Sequence, residues 1–98
     1  NNPAPITEIE LVADVSPSIA WLLSETPLSA EQLLEALPDS DWYRLHAKVP
    51  DDQETLWWVF GLNSNIRVYE PQAWVEEIKQ QTAQMGNFYS CPQDMKLH

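Results

Sequence analysis

The chain has 98 residues, which is the size of a single domain. Its 5 Lys and Arg against 15 Asp and Glu give a net charge of −10, which argues against the basic face that duplex DNA or anionic lipid requires. A hydrophobic content of 44%, with 5 Trp, is too high for a disordered acidic tail, so the composition indicates a small acidic domain with a core.

The scarcity of some residue types argues against several kinds of binding site and cellular location. The two glycines, Gly61 and Gly86, are too few for a phosphate-binding loop or a dinucleotide fingerprint. The lone Cys91 cannot form an internal disulfide, which favours the cytoplasm. His46 and His98 have no ligand spacing with Cys91, so we expect neither a metal nor a cofactor. We also expect no membrane association, because no apolar run approaches the span of about 20 residues.

The organisation expected from the sequence is one folded domain with short flanking segments. The chain begins with Asn1 rather than Met, and we expect it to be a piece of a longer protein. Residues 1–5 are predicted to be a flexible linker, residues 6–86 the domain and residues 87–98 a tail, since Pro92 and the lack of periodicity indicate no further element.

A strand over residues 6–13 is the first predicted element, because its side chains alternate. One face carries Thr7, Ile9, Leu11 and Ala13, and the other carries Ile6, Glu8, Glu10 and Val12.

The first helix is predicted to begin at Pro17 with Ser16 as its N-cap, and to end at Thr26, because the following Pro27 disfavours helical angles at the residue before it. Its apolar stripe is formed by Ile19, Leu22 and Leu23.

Residues 29–37 fit two interpretations. Ser29 can cap a short helix of good helix formers, whereas residues 32–37 also fit a strand that ends at the turn over residues 38–41. The strand closes a better core, and we prefer it. If residues 29–37 formed a helix instead, the sheet would have three strands and would lose an edge.

A second clear alternation, over residues 42–49, predicts another strand. Tyr43, Leu45, Ala47 and Val49 face one way, and Trp42, Arg44, His46 and Lys48 face the other.

The helix after Pro50 is expected to be capped by Asp51, with Glu54 three residues later completing a capping box. It would end near Gly61 and Asn63. Its buried stripe is expected to be Leu56, Val59 and Phe60, with Trp57 beside them.

The last two predicted elements are a strand over residues 65–70 and a helix from Pro71 to about Met85, ended by Gly86. In the strand, Ile66 and Val68 face inward while Arg67 and Tyr69 face outward. In the helix, Trp74, Ile78, Thr82 and Met85 recur at helical spacing.

The resulting order, β-α-β-β-α-β-α, predicts an α+β fold: a ferredoxin-like split β-α-β sandwich with an added C-terminal helix. In such a sheet the third and fourth strands flank the first. Five residues on the outward face would then lie beside Glu8 and Glu10: Arg44, His46, Lys48, Arg67 and Tyr69.

Cations beside aromatic rings on an open sheet suit a phosphate or a stacked base, so these five residues are the candidate ligand site. Two other interpretations stay open. The cations can simply form cross-strand pairs with Glu8 and Glu10, worth about 0.2–1 kcal/mol each. Alternatively, another domain or a second copy covers the face.

The tryptophans suggest an interface. Trp57 and Trp58 project about 100° apart on a helix, so we expect one in the core and the other at its margin. Trp58 and Trp42 are the interface candidates, because exposed Trp is enriched in binding hot spots. Trp21 and Trp74 are expected in the core.

No arrangement of residues predicts an enzyme. His46 has no serine that the pattern places near it. The carboxylates of Asp51, Asp52 and Glu54 are explained by helix capping, and Cys91 has no predicted cationic neighbour. We therefore expect a non-catalytic domain.

Residues 54–89, ETLWWVFGLNSNIRVYEPQAWVEEIKQQTAQMGNFY, resemble the C-terminal end of bacterial WYL-domain transcriptional regulators. The matching positions there are Leu56, Trp58, Val59, Phe60, Gly61, Ile66, Val68, Glu70, Pro71, Ile78 and Tyr89. Upstream, the family's hairpin pattern is matched by Pro27, Leu28, Gln32, Glu35, Leu37 and Asp39, which places a strand at residues 32–37. Ser40 stands where the family usually has glycine.

This resemblance identifies the chain with the C-terminal extension, or WCX domain, which follows a winged helix and a WYL domain in that family. It implies a regulatory domain that senses an effector or contacts the rest of its own chain within a homodimer. A nucleotide or short single-stranded nucleic acid is the implied ligand, without direct duplex binding by this domain. The rival functions are a stand-alone small-ligand-binding module of the same fold and a purely structural dimerisation domain.

Overall fold

The computed structural model describes residues 7–90, which form four β-strands and three α-helices. The strands are β1 (Glu8–Val15), β2 (Leu33–Ala36), β3 (Tyr43–Pro50) and β4 (Ile66–Glu70), and the helices are α1 (Pro17–Glu25), α2 (Gln53–Phe60) and α3 (Gln72–Tyr89). This confirms the predicted α+β class. No helix within residues 7–90 is long and apolar enough to cross a membrane. The predicted linker over residues 1–5 lies outside the described residues.

The strands form one antiparallel sheet in the order β2-β3-β1-β4. The preference for a strand within residues 32–37 is confirmed, because β2 pairs with β3 there. The predicted bounds of the first strand, 6–13, are wrong: β1 covers Glu8–Val15. Its pairing with β3 extends to Val15 opposite Tyr43, and this long partner carries the strand past Ala13.

The core lies between one face of the sheet and the helices. It contains Leu11, Ala13, Val15, Ala20, Leu23, Leu45, Ala47, Val49, Leu56, Val59 and Trp74. The inward faces predicted for the first and third strands are thus confirmed from Leu11 and Leu45 onward. Burying a side chain such as Leu or Val contributes about 1.5–3 kcal/mol, so this face fixes the register of the strands.

Helix α1 begins as predicted, with Ser16 as N-cap accepting a hydrogen bond from the Ile19 amide and Pro17 as the first helical residue. Its buried face differs from the prediction. Ala20 and Leu23 face the core, while Leu22 is 42% exposed. A helix of nine residues that covers a sheet buries only a narrow stripe, and here that stripe consists of Ala20 and Leu23, three positions apart.

Helix α2 is capped by Asp52, not by Asp51 as predicted. The Thr55 amide donates to Asp52 Oδ1 over 2.8 Å. Hydrogen bonding by the Thr55 side chain, and then by its amide, lowers the pKa of the Asp52 carboxyl below 3.8. Asp51 has another role, because its Oδ1 accepts a hydrogen bond from Trp74 Nε1 over 3.3 Å. Phe60, predicted to be buried, is only half-buried, since it lies at the last turn of the helix.

Helix α3 follows Pro71 as predicted and packs on the core through Trp74, which is 4% exposed. The predicted end at Met85 is wrong, because the helix continues through Gly86 to Tyr89 and so takes in the first residues of the predicted tail. Gly86 lacks a positive φ angle, which a helix-ending glycine commonly has. A glycine with helical angles weakens a helix by about 1 kcal/mol without ending it.

Candidate functional site

The outward face of the sheet, opposite the helices, holds the predicted site residues around one carboxylate. Asp14 of β1 lies opposite Arg44 of β3 and opposite Arg67 of β4. Asp14 was not among the site residues predicted from the sequence. The sequence nonetheless contained the signal for it, because the alternation of β1, continued two residues beyond Val12, places Asp14 on the outward face.

Asp14 accepts hydrogen bonds from two of the predicted residues. Arg44 donates from Nε to Oδ1 and from Nη2 to Oδ2, the latter over 3.4 Å. The Tyr69 hydroxyl donates to Oδ2 over 2.8 Å. Asp14 is only 8% exposed, whereas the Arg44 side chain is 36% exposed. The carboxylate is thus withdrawn from water and held by a cation and a hydroxyl.

The Tyr69 ring contacts both guanidinium groups. The Arg44 Cζ lies 4.9 Å and the Arg67 Cζ 5.0 Å from the ring centroid, which are cation–π distances. The strand pairing is irregular here: Val12 pairs with Glu70 and Ala13 with Val68, so Tyr69 is the extra residue of a β-bulge. We call Asp14, Arg44, Arg67 and Tyr69 the Asp14 cluster.

The titration of the cluster follows from these contacts. Burial by itself would raise the pKa of Asp14, but the hydrogen bonds from Arg44 and Tyr69 and the attraction of Arg44 and Arg67 outweigh it and hold this pKa below 3.8. The hydrogen bond from Tyr69 to Asp14 raises the pKa of the Tyr69 hydroxyl above 10.0. The hydrogen bond from Arg44 to Asp14 likewise raises the pKa of the Arg44 guanidinium above its ordinary value. Asp14 is therefore an anion and Tyr69 a neutral hydrogen-bond donor at neutral pH.

His46 and Lys48 lie farther along β3, outside the Asp14 cluster. His46 Nε2 is 3.7 Å from Glu35 Oε1 of β2, and both side chains are substantially exposed. Lys48 is opposite Glu10 in the register, as expected, but within residues 7–90 neither Glu10 nor Glu8 forms a salt bridge. Of the five predicted residues, the structure therefore brings together Arg44, Arg67 and Tyr69.

An open cleft of about 300 Å³ borders the Asp14 cluster. Its lining includes Asp14, Arg67, Ser64 and Trp42, the half-buried interface candidate that precedes β3. The lining of this cleft therefore includes both an indole and a guanidinium, a combination that suits an anionic group attached to a flat ring.

The other tryptophans depart from the sequence expectations. Trp57 is 67% and Trp58 39% exposed, so the prediction that one of them enters the core is wrong. Trp21, also expected in the core, is 68% exposed, whereas Trp74 is buried as predicted. The core of this domain is filled by Leu, Val and Ala from the sheet and from α1 and α2, which leaves room for one indole.

No group of three or more His, Cys, Asp or Glu that could hold a metal ion occurs within residues 7–90. Cys91 and His98 lie outside the described residues. The Asp14 cluster presents guanidinium groups and an aromatic ring on the outward face of the sheet.

Comparison with known proteins gives one informative result. No curated protein matches the chain. Among protein families, the WCX domain matches residues 7–86, which is most of the chain and includes every element from β1 to the last turns of α3. The chain is therefore a member of the WCX domain family.

Proposed function

We propose that this chain is the non-catalytic regulatory domain of a WYL-type transcriptional regulator in the cytoplasm. The WCX match over residues 7–86 supports this, together with the resemblance of residues 54–89 to the C-terminal end of such regulators. In that arrangement the domain contacts the rest of its own chain, within a homodimer, and tunes a DNA-binding domain that lies elsewhere in the protein.

The proposed fold type is the ferredoxin-like split β-α-β sandwich. The strand order β2-β3-β1-β4 agrees with it, as do the core contacts of α1 and α2 on one face of the sheet. This arrangement matters for function because it leaves the opposite face, with the Asp14 cluster, open to a ligand or to another domain.

The observation that carries the proposal is the unequal pairing of the two arginines in the Asp14 cluster. Arg44 is held by Asp14 in a salt bridge. Arg67 stacks on Tyr69, and no carboxylate within residues 7–90 forms a salt bridge with it. Arg67, positioned on the Tyr69 ring, therefore suits a phosphate, and Trp42 suits a stacked base, so the proposed effector is a nucleotide or a short single-stranded nucleic acid.

The mechanism we propose is a population shift. An effector bound at the sheet face favours one arrangement of this domain against its neighbours, and that arrangement changes the spacing of two winged helices on DNA. The net charge of −10 opposes direct contact between this domain and duplex DNA, so the effect on DNA is indirect.

A titration of the 98-residue chain tests the ligand. Nucleotides and short single-stranded oligonucleotides are titrated at two salt concentrations by isothermal calorimetry, with Arg67→Gln as the test variant and Lys79→Gln, a cation of α3, as the matched control. We expect binding that weakens with salt and with Arg67→Gln, but not with Lys79→Gln. An absence of binding, together with a stable dimer in sedimentation, would favour the structural dimerisation domain instead.

An operator-binding assay on the full-length regulator tests the regulatory role. The variant that combines Lys48→Ala with Arg67→Ala spares Arg44, whose removal would leave Asp14 without its cation. We expect the variant to lose the effector-dependent change in operator affinity. An unchanged response would exclude the sheet face as the sensing surface.

A further inference from the structure

A groove lies on the other side of β4, where this strand, α2 and α3 meet. It encloses about 460 Å³, which is within the range of about 300–1,000 Å³ typical of small-ligand sites. Most of its lining is apolar and includes Val59, Ile66, Val68, Val75, Ile78 and Met85. We call this the α3 groove.

The charged residues that line the α3 groove are opposite in sign to the net charge of the whole chain. Its lining includes two cations, Arg67 and Lys79, and no Asp or Glu, although the chain has 15 acidic residues and a net charge of −10. The neighbouring cleft lined by Trp57, Ile78 and Gln81 contains the carboxylate of Glu77. Cations beside an apolar wall create a local positive potential that attracts anions.

Both cations are accessible to a new partner. Lys79 Nζ lies 3.8 Å from Glu76 Oε2, but the two side chains are 69% and 55% exposed, so this surface pair contributes little. Arg67 contacts the Tyr69 ring and has no salt bridge with any carboxylate of residues 7–90. An incoming carboxylate therefore displaces water and at most one weak ion pair.

We propose that the α3 groove binds an anionic amphiphile, a molecule with an aliphatic chain that ends in a carboxylate. The chain packs against Val75 and Ile78, and Lys79 and Arg67 attract the carboxylate. This site adds a second class of effector to the proposed function. Its biological consequence therefore rests on that proposed function. Binding to the groove itself does not depend on DNA or on the rest of the regulator.

The test uses decanoate as the probe, below its micelle concentration, followed by NMR chemical shifts of the 98-residue chain. We expect the largest shifts at Val75 and Ile78, and binding about threefold to tenfold weaker for 1-decanol, which lacks the charge. Lys79→Gln should weaken decanoate binding about two- to fivefold. The matched control is Lys48→Gln, which changes a cation of the sheet face and should leave the affinity unchanged.

A second variant tests the apolar part without disturbing the core. Thr82 lines the α3 groove and is exposed, so Thr82→Trp fills the groove from its rim and should abolish binding in a folded chain. The proposal is overturned if decanoate does not bind, or if decanoate and decanol bind equally and Lys79→Gln has no effect. Shifts confined to Asp14, Arg44 and Tyr69 would also overturn it.

Failure of this site is distinguishable from failure of the proposed function. If decanoate binds in the α3 groove but the operator affinity of the full-length regulator responds neither to decanoate nor to nucleotides, the groove is supported and the regulatory role is contradicted. If nucleotide titration and the operator assay succeed while decanoate fails to bind, the regulatory role remains and the groove proposal is wrong.

Discussion

The Asp14 cluster and the α3 groove both contain cations, but the cations have different neighbours. In the cluster, the charge of Arg44 is neutralised by a carboxylate that is 8% exposed. In the groove, Lys79 stands beside apolar side chains and has only a weak surface partner. The comparison teaches that the neighbours of a cation, more than its presence, decide whether it holds the fold together or is available to a ligand. Arg67 belongs to both regions.

The strongest way to break this comparison is to remove the carboxylate of the cluster. Asp14→Asn removes a charged acceptor of hydrogen bonds from Arg44 and Tyr69, and we expect a loss of about 1.5–3 kcal/mol in the free energy of unfolding. Urea denaturation followed by circular dichroism at neutral pH measures it. Glu10→Gln, an exposed change on the same strand, is the control and should shift stability by less than about 0.5 kcal/mol. An equally small effect of Asp14→Asn would contradict a structural role.

Acidification should remove the same contribution gradually. The pKa of Asp14 is lower in the folded protein than its ordinary value of 3.8, so the folded state binds this proton less readily than the unfolded state. The stabilisation from Asp14 is therefore complete above pH 3.8 and is lost as the pH falls through the pKa of Asp14 in the folded protein. We expect the stability difference between the unsubstituted chain and Asp14→Asn to narrow only below about pH 3.8. Asp52 titrates in both proteins, so the difference isolates Asp14. A gap that closes well above this pH would contradict the lowered pKa.

A smaller effect is expected from Tyr69→Phe. This change removes the hydroxyl that donates to Asp14 and keeps the ring that contacts both guanidinium groups. The expected loss is about 0.5–1.5 kcal/mol in the same denaturation measurement. Tyr89→Phe, at a tyrosine that is 70% exposed, is the matched control and should be neutral. Equal effects of the two changes would show that the hydroxyl of Tyr69 contributes nothing.

The smallest effect is expected in the α3 groove. Lys79→Gln removes a cation whose side chain is 69% exposed, and the free energy of unfolding should change by less than about 0.5 kcal/mol. The same variant is expected to weaken decanoate binding, which separates a ligand-directed cation from a structural one. A destabilisation as large as that of Asp14→Asn would remove the distinction between the two regions.

The sheet was predictable from the sequence because its signal is local. Alternation in β3 places Leu45, Ala47 and Val49 on one face whatever the neighbouring element is, and burial of that face then fixes the strand. The strand within residues 32–37 needed one further argument, the better core of a four-stranded sheet. The bounds were less accurate, as β1 shows, since a strand extends as far as its partner pairs with it.

The Asp14 cluster was predicted only in part, because its central residue follows the predicted end of β1. The bulge at Tyr69, which accompanies the approach of its ring to both arginines, depends on the pairing of β1 with β4 and has no signature in the residues themselves. The cap of α2 was assigned to Asp51 because Glu54 completes a capping box with it, although the adjacent Asp52 is the residue that caps the helix. The contact of Asp51 with Trp74, 23 residues away, distinguishes them, and it is a tertiary contact.

The tryptophans show where local patterns fail. Trp21 lies within an apolar stretch of α1, yet only the rotation of the helix on the sheet determines which side chains are covered, and Ala20 and Leu23 are covered instead. The same holds for Trp57 and Trp58 beside Leu56 and Val59. Periodicity predicts that one stripe is buried, but adjacent apolar residues leave its centre undetermined.

The outer strand β2 has a consequence for behaviour in concentrated solution. A strand at the border of a sheet exposes backbone N–H and C=O groups, and a long flat one invites stacking of further molecules into aggregates. Here that strand is only four residues long, and it carries Glu35 beside the exposed Leu33. Too few free backbone groups remain for stable intermolecular pairing, and the carboxylate adds repulsion between like molecules. This edge of the sheet is thereby protected against edge-to-edge aggregation.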